Sequence, residues 1–99
     1  MPYIIETFDK PGAGALRAAT RPAHLAFLAA NAAKLLVCGA KLDDAGVAAQ
    51  GGMYVVDLDS RAEAEAFIAA DPFSEAELFE RVVITRMRKA YVDGKSYLG

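Results

Sequence analysis

The chain has 99 residues, a mass of 10.5 kDa and a net charge of −2. This length fits one small domain over residues 1–99. With 55% hydrophobic and 24% charged residues, the chain is too apolar to be intrinsically disordered and has no broad basic surface for nucleic acid. No apolar run reaches the roughly 18 residues that a membrane span requires. We therefore expect a soluble domain that binds neither nucleic acid nor membrane.

The reactive residue types are few. Cys38 is the only cysteine, which excludes an internal disulfide and fits a reducing cytoplasm. The first residues lack the basic and long apolar segments of a secretory signal. One histidine and one cysteine cannot build a tetrahedral zinc site, and Asp43 and Asp44 have no glutamate at calcium-loop spacing. The glycines match no phosphate-binding or dinucleotide-binding motif. We expect no metal and no cofactor.

The first half of the chain predicts a strand, a helix and a second strand. The first strand is predicted over residues 3–8, and residues 12–19 are expected to form a loop. Thr20 is the predicted N-cap of the first helix, with Pro22 in the first turn. Proline is tolerated there because backbone N–H groups in the first turn have no acceptor within the helix, so no hydrogen bond is lost. The helix is predicted to continue to Ala33. A continuous apolar run then predicts the second strand over residues 35–40.

The second half predicts two further strands around a second helix. A long loop is expected over residues 41–52, followed by a strand over 53–58. Ser60 caps the second helix and Glu63 completes a capping box. The helix ends before Pro72, because the residue before proline disfavours the α region. Residues 73–77 are expected to form a short turn or a single helical turn. The last strand is predicted over 78–90, and residues 91–99 form a C-terminal tail.

This order predicts an α+β fold of the ferredoxin-like β-α-β-β-α-β type. Two helices would cover one face of a four-stranded antiparallel sheet. The other face has no covering element in the chain, yet the strands are apolar at nearly every position. A second copy of the sheet is the simplest cover, so we expect a homodimer with the sheets packed face to face.

His24 is the only histidine and the only side chain whose ordinary pKa suits acid–base chemistry near neutral pH. On the predicted helix it lies close to the N-terminus, whose partial positive charge favours a neutral imidazole. The alternative is a structural histidine that only makes a hydrogen bond within the fold. Both interpretations remain open from the residues alone.

Asp71 is the candidate partner of His24. It follows the second helix, and an Asp-Pro turn that merely ends the helix is the alternative interpretation. In a β-α-β-β-α-β fold both helices lie on the same sheet face, so the start of the first helix can meet the end of the second. A carboxylate there would orient the imidazole and raise its basicity.

The residues Arg-Pro-Ala-His-Leu at 21–25, the Gly39-containing strand and Ala-Asp-Pro-Phe at 70–73 resemble the YCII-related (YciI-like) domain family. The resemblance extends over nearly the whole chain. It implies a dimeric ferredoxin-like α+β barrel with a His–Asp active site at His24 and Asp71. Most members have no assigned function, although one is similar to a dehydrochlorinase that acts on a chlorinated hydroxyquinone.

Three other side chains are weaker candidates. Arg21 could bind an anionic substrate, although a solvent-exposed arginine is the simpler interpretation. Ser74 could donate a hydrogen bond to a ligand or only cap the short turn. Cys38 lies in an apolar strand with nothing nearby to lower its pKa, which indicates a small buried side chain rather than a nucleophile.

Two functions fit these features. The first is a small cofactor-independent enzyme in which His24, oriented by Asp71, moves a proton on a small organic molecule in a lyase, isomerase or dehydrochlorinase reaction. The second is a non-catalytic dimeric module that binds a ligand or a protein and uses the same pair as a structural hydrogen bond. A pair that opens into a cavity would favour the enzyme, and a pair sealed in packing would favour the module.

Overall fold

One four-stranded antiparallel sheet organises the molecule. The computed structural model describes residues 1–99, except for the side chains of residues 48 and 49. The strands lie in the order β2-β3-β1-β4, with every neighbouring pair antiparallel. This arrangement confirms the predicted ferredoxin-like fold. The elements in chain order are β1 (Tyr3–Asp9), α1 (Gly14–Ala30), a 3-10 turn (Ala32–Lys34), β2 (Leu35–Leu42), β3 (Ala48–Val56), α2 (Arg61–Ala70), α3 (Pro72–Glu75), β4 (Phe79–Arg86), β5 (Tyr91–Val92) and β6 (Lys95–Ser96).

The core lies between one sheet face and the two longer helices. Burial alternates along β1, where every second residue from Tyr3 to Asp9 is buried, as the period of two in a strand requires. Partly buried residues of α1, among them Phe27 and Leu28, pack against this core. Its buried members come from β1, β3 and α2: Tyr3, Ile5, Tyr54, Val56, Ala64, Phe67 and Ile68. Both helices therefore cover the same face, as predicted.

Helix α1 begins six residues before its predicted cap. It starts at Gly14 with Ala13 as its N-cap and no side-chain cap, and Pro22 lies inside it. The prediction was wrong because the alanine-rich residues 15–19 are strong helix formers that outweigh the neighbouring glycines. His24 consequently lies in the middle of the helix, beyond the reach of the N-terminal partial charge.

The loop predicted over residues 41–52 is mostly strand. β2 continues to Leu42 and β3 begins at Ala48. The short connection is closed by Asp43, whose carboxylate accepts the N–H of Val47 at 2.9 Å. Alanine and glycine have low strand propensity, but pairing with β1 and β2 overrides it here. Gly51 is required by this pairing, because a Cβ atom there would collide with the backbone oxygen of Thr7.

The C-terminal part also differs from the prediction. β4 ends at Arg86 rather than at residue 90, and the segment predicted as a tail contains the β5–β6 hairpin. Asp93 and Gly94 form its turn with φ values of 51° and 76°, as a two-residue type I′ turn requires. None of the described helices is long and apolar enough to cross a membrane.

The sheet face opposite the helices, called the open face below, carries both apolar and charged residues. At one end, Lys41 donates to Glu6 at 3.3 Å, and the Lys41 ammonium and the Arg81 guanidinium lie 3.6 and 4.2 Å from the ring centre of Phe8. Val37 and Met53 remain 55% and 40% exposed. The pairing register aligns the apolar residues of this face: Ile4, Phe8, Val37, Met53, Val55 and Val83. Covering of this face by a second copy stays a prediction.

Candidate functional site

Asp71 lies at the junction between α2 and α3. Its backbone is extended, with φ −64° and ψ 131°, as Pro72 demands of the preceding residue. Its Oδ1 atom accepts the N–H of Phe73 at 2.8 Å and thereby caps α3. The side chain is fully buried. Asp71 therefore ends α2 at an Asp-Pro turn, and the same turn places its carboxylate in the interior of the protein.

The structure brings His24 and Asp71 into contact. The Nδ1 atom of His24 lies 2.9 Å from both carboxylate oxygens of Asp71. The contact joins the middle of α1 to the end of α2, rather than the start of α1 as predicted. An ionised carboxylate can only accept hydrogen bonds, so Nδ1 carries the hydrogen in this pair. When the ring is neutral, this arrangement leaves its lone pair on Nε2.

Tyr54 is a third member of this group that the sequence analysis missed. Its hydroxyl donates to Oδ2 of Asp71 at 2.7 Å, and the residue is 3% exposed. Burial, followed by the negative charge of Asp71, raises the pKa of Tyr54 well above its ordinary value. Tyr54 therefore remains a hydrogen-bond donor. Asp71 accepts from a backbone N–H, an imidazole and a phenol at once.

The ring of Phe73 stacks on the face of the His24 imidazole. The rings of His24 and Phe73 lie 3.9 Å apart and 16° from parallel. The guanidinium of Arg17 lies 4.8 Å from the centre of the Phe73 ring. Arg17 also donates to Oδ2 of Asp9 at 2.8 Å, and Asp9 is 6% exposed. This chain of contacts leaves the His24 ring little freedom to rotate.

His24 lies in the wall of a cavity of about 220 Å³. The cavity lies between α1 and the β2–β3 side of the sheet. Cys38 is also in the wall, where burial and then the Asp71 charge raise the pKa of its thiol, so it is a poor nucleophile. The full lining is Thr7, Arg17, Arg21, His24, Leu25, Leu28, Cys38, Gly39, Ala40, Gly52, Tyr54 and Phe73. The pair is thus open to a small molecule on the His24 side, while Asp71 lies behind it.

The two weaker candidates have different positions. Arg21 is exposed and lines the cavity. Ser74 is absent from its lining, and its hydroxyl donates to the backbone oxygen of Ile68 near the end of α2. This bond holds the C-terminal end of α2, whereas the short helix α3 is capped by Asp71. Within the described residues, no three His, Cys, Asp or Glu side chains come together in a group that could hold a metal ion.

Comparison with known proteins places the chain in a family. The model of the YCII-related domain matches residues 1–88, and no curated protein matches. The structure is similar to 5-chloro-2-hydroxyhydroquinone dehydrochlorinase from Burkholderia phenoliruptrix AC1100, solved in complex with 2,5-dihydroxybenzoquinone. The TM-score is 0.80 at 30% identity, covering 89% of this chain and 94% of that one. A protein described as a candidate antibiotic biosynthesis monooxygenase from Chloroflexus aurantiacus has a TM-score of 0.41 at 17% identity, with 91% and 94% covered. The chain belongs to the YCII-related domain family.

Proposed function

We propose that the protein is an enzyme that uses His24 as a general acid–base catalyst on a small organic molecule. The observation that carries this proposal is the placement of the pair. Asp71 is fully buried and held by three donors, whereas His24 lines a cavity. The non-catalytic alternative predicts a pair sealed in packing, so the cavity at His24 favours the enzyme.

Asp71 acts by orienting the imidazole. It accepts from Nδ1, so Nε2 is the nitrogen that can take a proton from a molecule in the cavity. When the proton arrives, the ring becomes positively charged next to the buried carboxylate, which stabilises that charge. Tyr54 and the N–H of Phe73 hold the carboxylate in the orientation that serves the ring. They position the site without touching the substrate's reacting atoms.

The reaction class follows from a single base. Nε2 removes a proton from an O–H or C–H group, and the electron pair left behind forms a new π bond. In an isomerisation the same nitrogen returns the proton to another atom. In dehydrohalogenation of a hydroxylated ring, the proton is first returned to the halogen-bearing carbon; removal of a second O–H proton then forms the new π bonds as the carbon–halogen bond breaks and the halide leaves with its electron pair. The similarity to the Burkholderia dehydrochlorinase supports the elimination among these reactions.

The size of the cavity supports a substrate of about one ring. An engineered protein cavity of about 150 Å³ holds benzene, and the cavity beside His24 is about 220 Å³. Larger ligands generally occupy pockets of roughly 300–1,000 Å³. A single substituted ring, or a short chain of similar volume, therefore fits beside the imidazole.

The test is chloride release from 5-chloro-2-hydroxyhydroquinone by the wild type and by His24→Gln. Glutamine lacks a base but keeps an amide that can donate to Asp71, so the fold should survive. We expect kcat/KM to fall by about 10²–10⁴-fold, the usual contribution of one general base.

Glu65→Gln is the matched control, because Glu65 is exposed on α2 and lines none of the cavities around the site. Its activity should equal that of the wild type. Circular dichroism checks that all three proteins are folded. Full chloride release by folded His24→Gln would refute His24 as the base, and no release by the wild type would refute dehydrochlorination of this substrate.

A further inference from the structure

Helix α1 directs one stripe of side chains into the cavity. Arg17, Arg21, His24 and Leu28 all line it, at spacings of four, three and four residues that place them on one helix face. Along this face the arginines lie toward the N-terminal end of the helix and Leu28 toward the C-terminal end. His24 lies between them. The wall therefore changes from cationic to apolar across the candidate base.

The two arginines differ in what already neutralises them. Arg17 is paired with buried Asp9 at 2.8 Å. Arg21 is exposed and makes no ion pair with any carboxylate in the described part of the chain. Asp71 is fully buried, holds three donors and does not line the cavity. Arg21 is therefore the cavity-lining arginine that no carboxylate in the described part of the chain pairs with directly.

A second cavity meets the first at the arginines. Its volume is about 520 Å³, and it shares Arg17, Arg21 and Ala40 with the cavity beside His24. Lys10 adds another positive charge to its lining, while the carboxylate of Asp9 there is engaged by Arg17. A negatively charged molecule would be attracted along this route and would meet Arg21 before His24.

We propose that the substrate is a small organic oxyanion, a carboxylate or an ionised ring hydroxyl, whose charged oxygen binds Arg21. Its carbon skeleton would lie toward Leu25 and Leu28, so that the proton to be removed faces Nε2 of His24. This inference rests on the proposed function, because it takes His24 as the base that removes the proton. It states in addition that the substrate is negatively charged. A planar guanidinium suits such oxygens because it can donate two parallel hydrogen bonds.

The same contact has a role in the reaction. As Nε2 removes a proton, negative charge builds up on the substrate and moves toward its oxygen atoms. A fixed positive charge beside those oxygens stabilises the transition state more than the ground state. Arg21 is therefore expected to affect both binding and turnover, whereas Arg17, already paired with Asp9, mainly supports the Phe73 ring.

The test measures ligand binding directly, without a known substrate. Benzoate and 4-nitrophenolate supply the two oxyanions, and benzamide is a neutral molecule of nearly the same shape as benzoate. His24 is the only histidine, so its Cε1–H signal in the NMR spectrum, one of the two imidazole C–H signals, is assigned without ambiguity and reports occupancy beside the site. We expect at least one oxyanion to shift this signal and to bind more tightly than benzamide. Tighter binding of benzoate would indicate that the site prefers a carboxylate, and tighter binding of 4-nitrophenolate that it prefers an ionised ring hydroxyl.

Arg21→Gln should weaken binding of the preferred anion by about 10- to 100-fold, the usual range for a charge-assisted hydrogen bond. It should leave benzamide binding unchanged. Lys34→Gln removes the same charge from a residue outside both cavities and should change neither. Equal binding of anions and benzamide, no shift of the His24 signal by either anion, or an equal loss in Lys34→Gln would overturn the inference. The base role of His24 is judged separately, by turnover in His24→Gln.

Discussion

Replacing Tyr54 by phenylalanine isolates one of the three hydrogen bonds that hold Asp71. The substitution removes the hydroxyl that donates to Oδ2 at 2.7 Å and keeps the buried ring. A hydrogen bond to a charged group contributes about 1.5–3 kcal/mol, and neither partner here is exposed enough for solvent to compensate. We expect the free energy of unfolding to fall by about 2 kcal/mol. In a domain of this size that corresponds to a decrease in Tm of roughly 8–16 °C.

Tyr3→Phe is the matched control for this measurement. Tyr3 belongs to the same core and is 6% exposed, but among the described residues its hydroxyl makes no hydrogen bond. Thermal and urea unfolding of the wild type and both variants, at one fixed protein concentration, give the two differences. Tyr54→Phe should lose about 2 kcal/mol and Tyr3→Phe less than about 0.5 kcal/mol. Equal losses would show that the Tyr54–Asp71 contact contributes nothing beyond ring packing.

Four further predictions follow from other features. The fold raises the pKa of Tyr54, whereas a tyrosine in the unfolded chain ionises at about pH 10. Above that pH the unfolded state loses a proton that the folded state keeps, so the free energy of unfolding should fall as the pH rises. Urea titrations at several alkaline pH values should show a weaker fall in Tyr54→Phe, and an identical fall would contradict this origin. Gly51→Ala should destabilise the fold by about 1–3 kcal/mol, because its Cβ would meet the backbone of Thr7; an unchanged Tm would refute the close approach. Cys38, whose thiol pKa is raised, should react with iodoacetamide more slowly than a cysteine in a short peptide, and an equal rate would exclude that shift. Sedimentation velocity at micromolar concentration should show a homodimer joined through the open face, and a monomer would contradict it.

The sequence predicted the pairing of His24 with Asp71 although it placed His24 on the wrong part of α1. The pairing depends on the order of elements, which brings both helices to one sheet face, and a shift of the helix start does not alter that order. The start itself was misjudged because Gly14 and Pro22 are unfavourable inside a helix, whereas the alanine-rich residues between them and the packing of α1 on the sheet compensate for both.

Tyr54 shows what the sequence could not provide. Its strand was predicted, but a strand with apolar residues on both faces does not indicate which face turns toward the helices. That assignment comes from the register with β1, in which Tyr54 pairs with the buried Ile5. The strand position of the glycine-rich residues at the start of β3 was also not predictable from the sequence. Pairing with β1 and β2, rather than intrinsic strand propensity, keeps them in the sheet.

The backbone amide of Phe73 donates to the same carboxylate that holds His24. We expect this amide to exchange its hydrogen with solvent mainly when the turn at Asp71 opens, and an opening that moves the Asp71 carboxylate also separates it from the imidazole. Hydrogen exchange at this single position therefore reports how often the candidate site comes apart in the folded protein. A molecule that binds the cavity and favours the assembled site would slow this exchange, which offers a way to recognise ligands before any reaction is known.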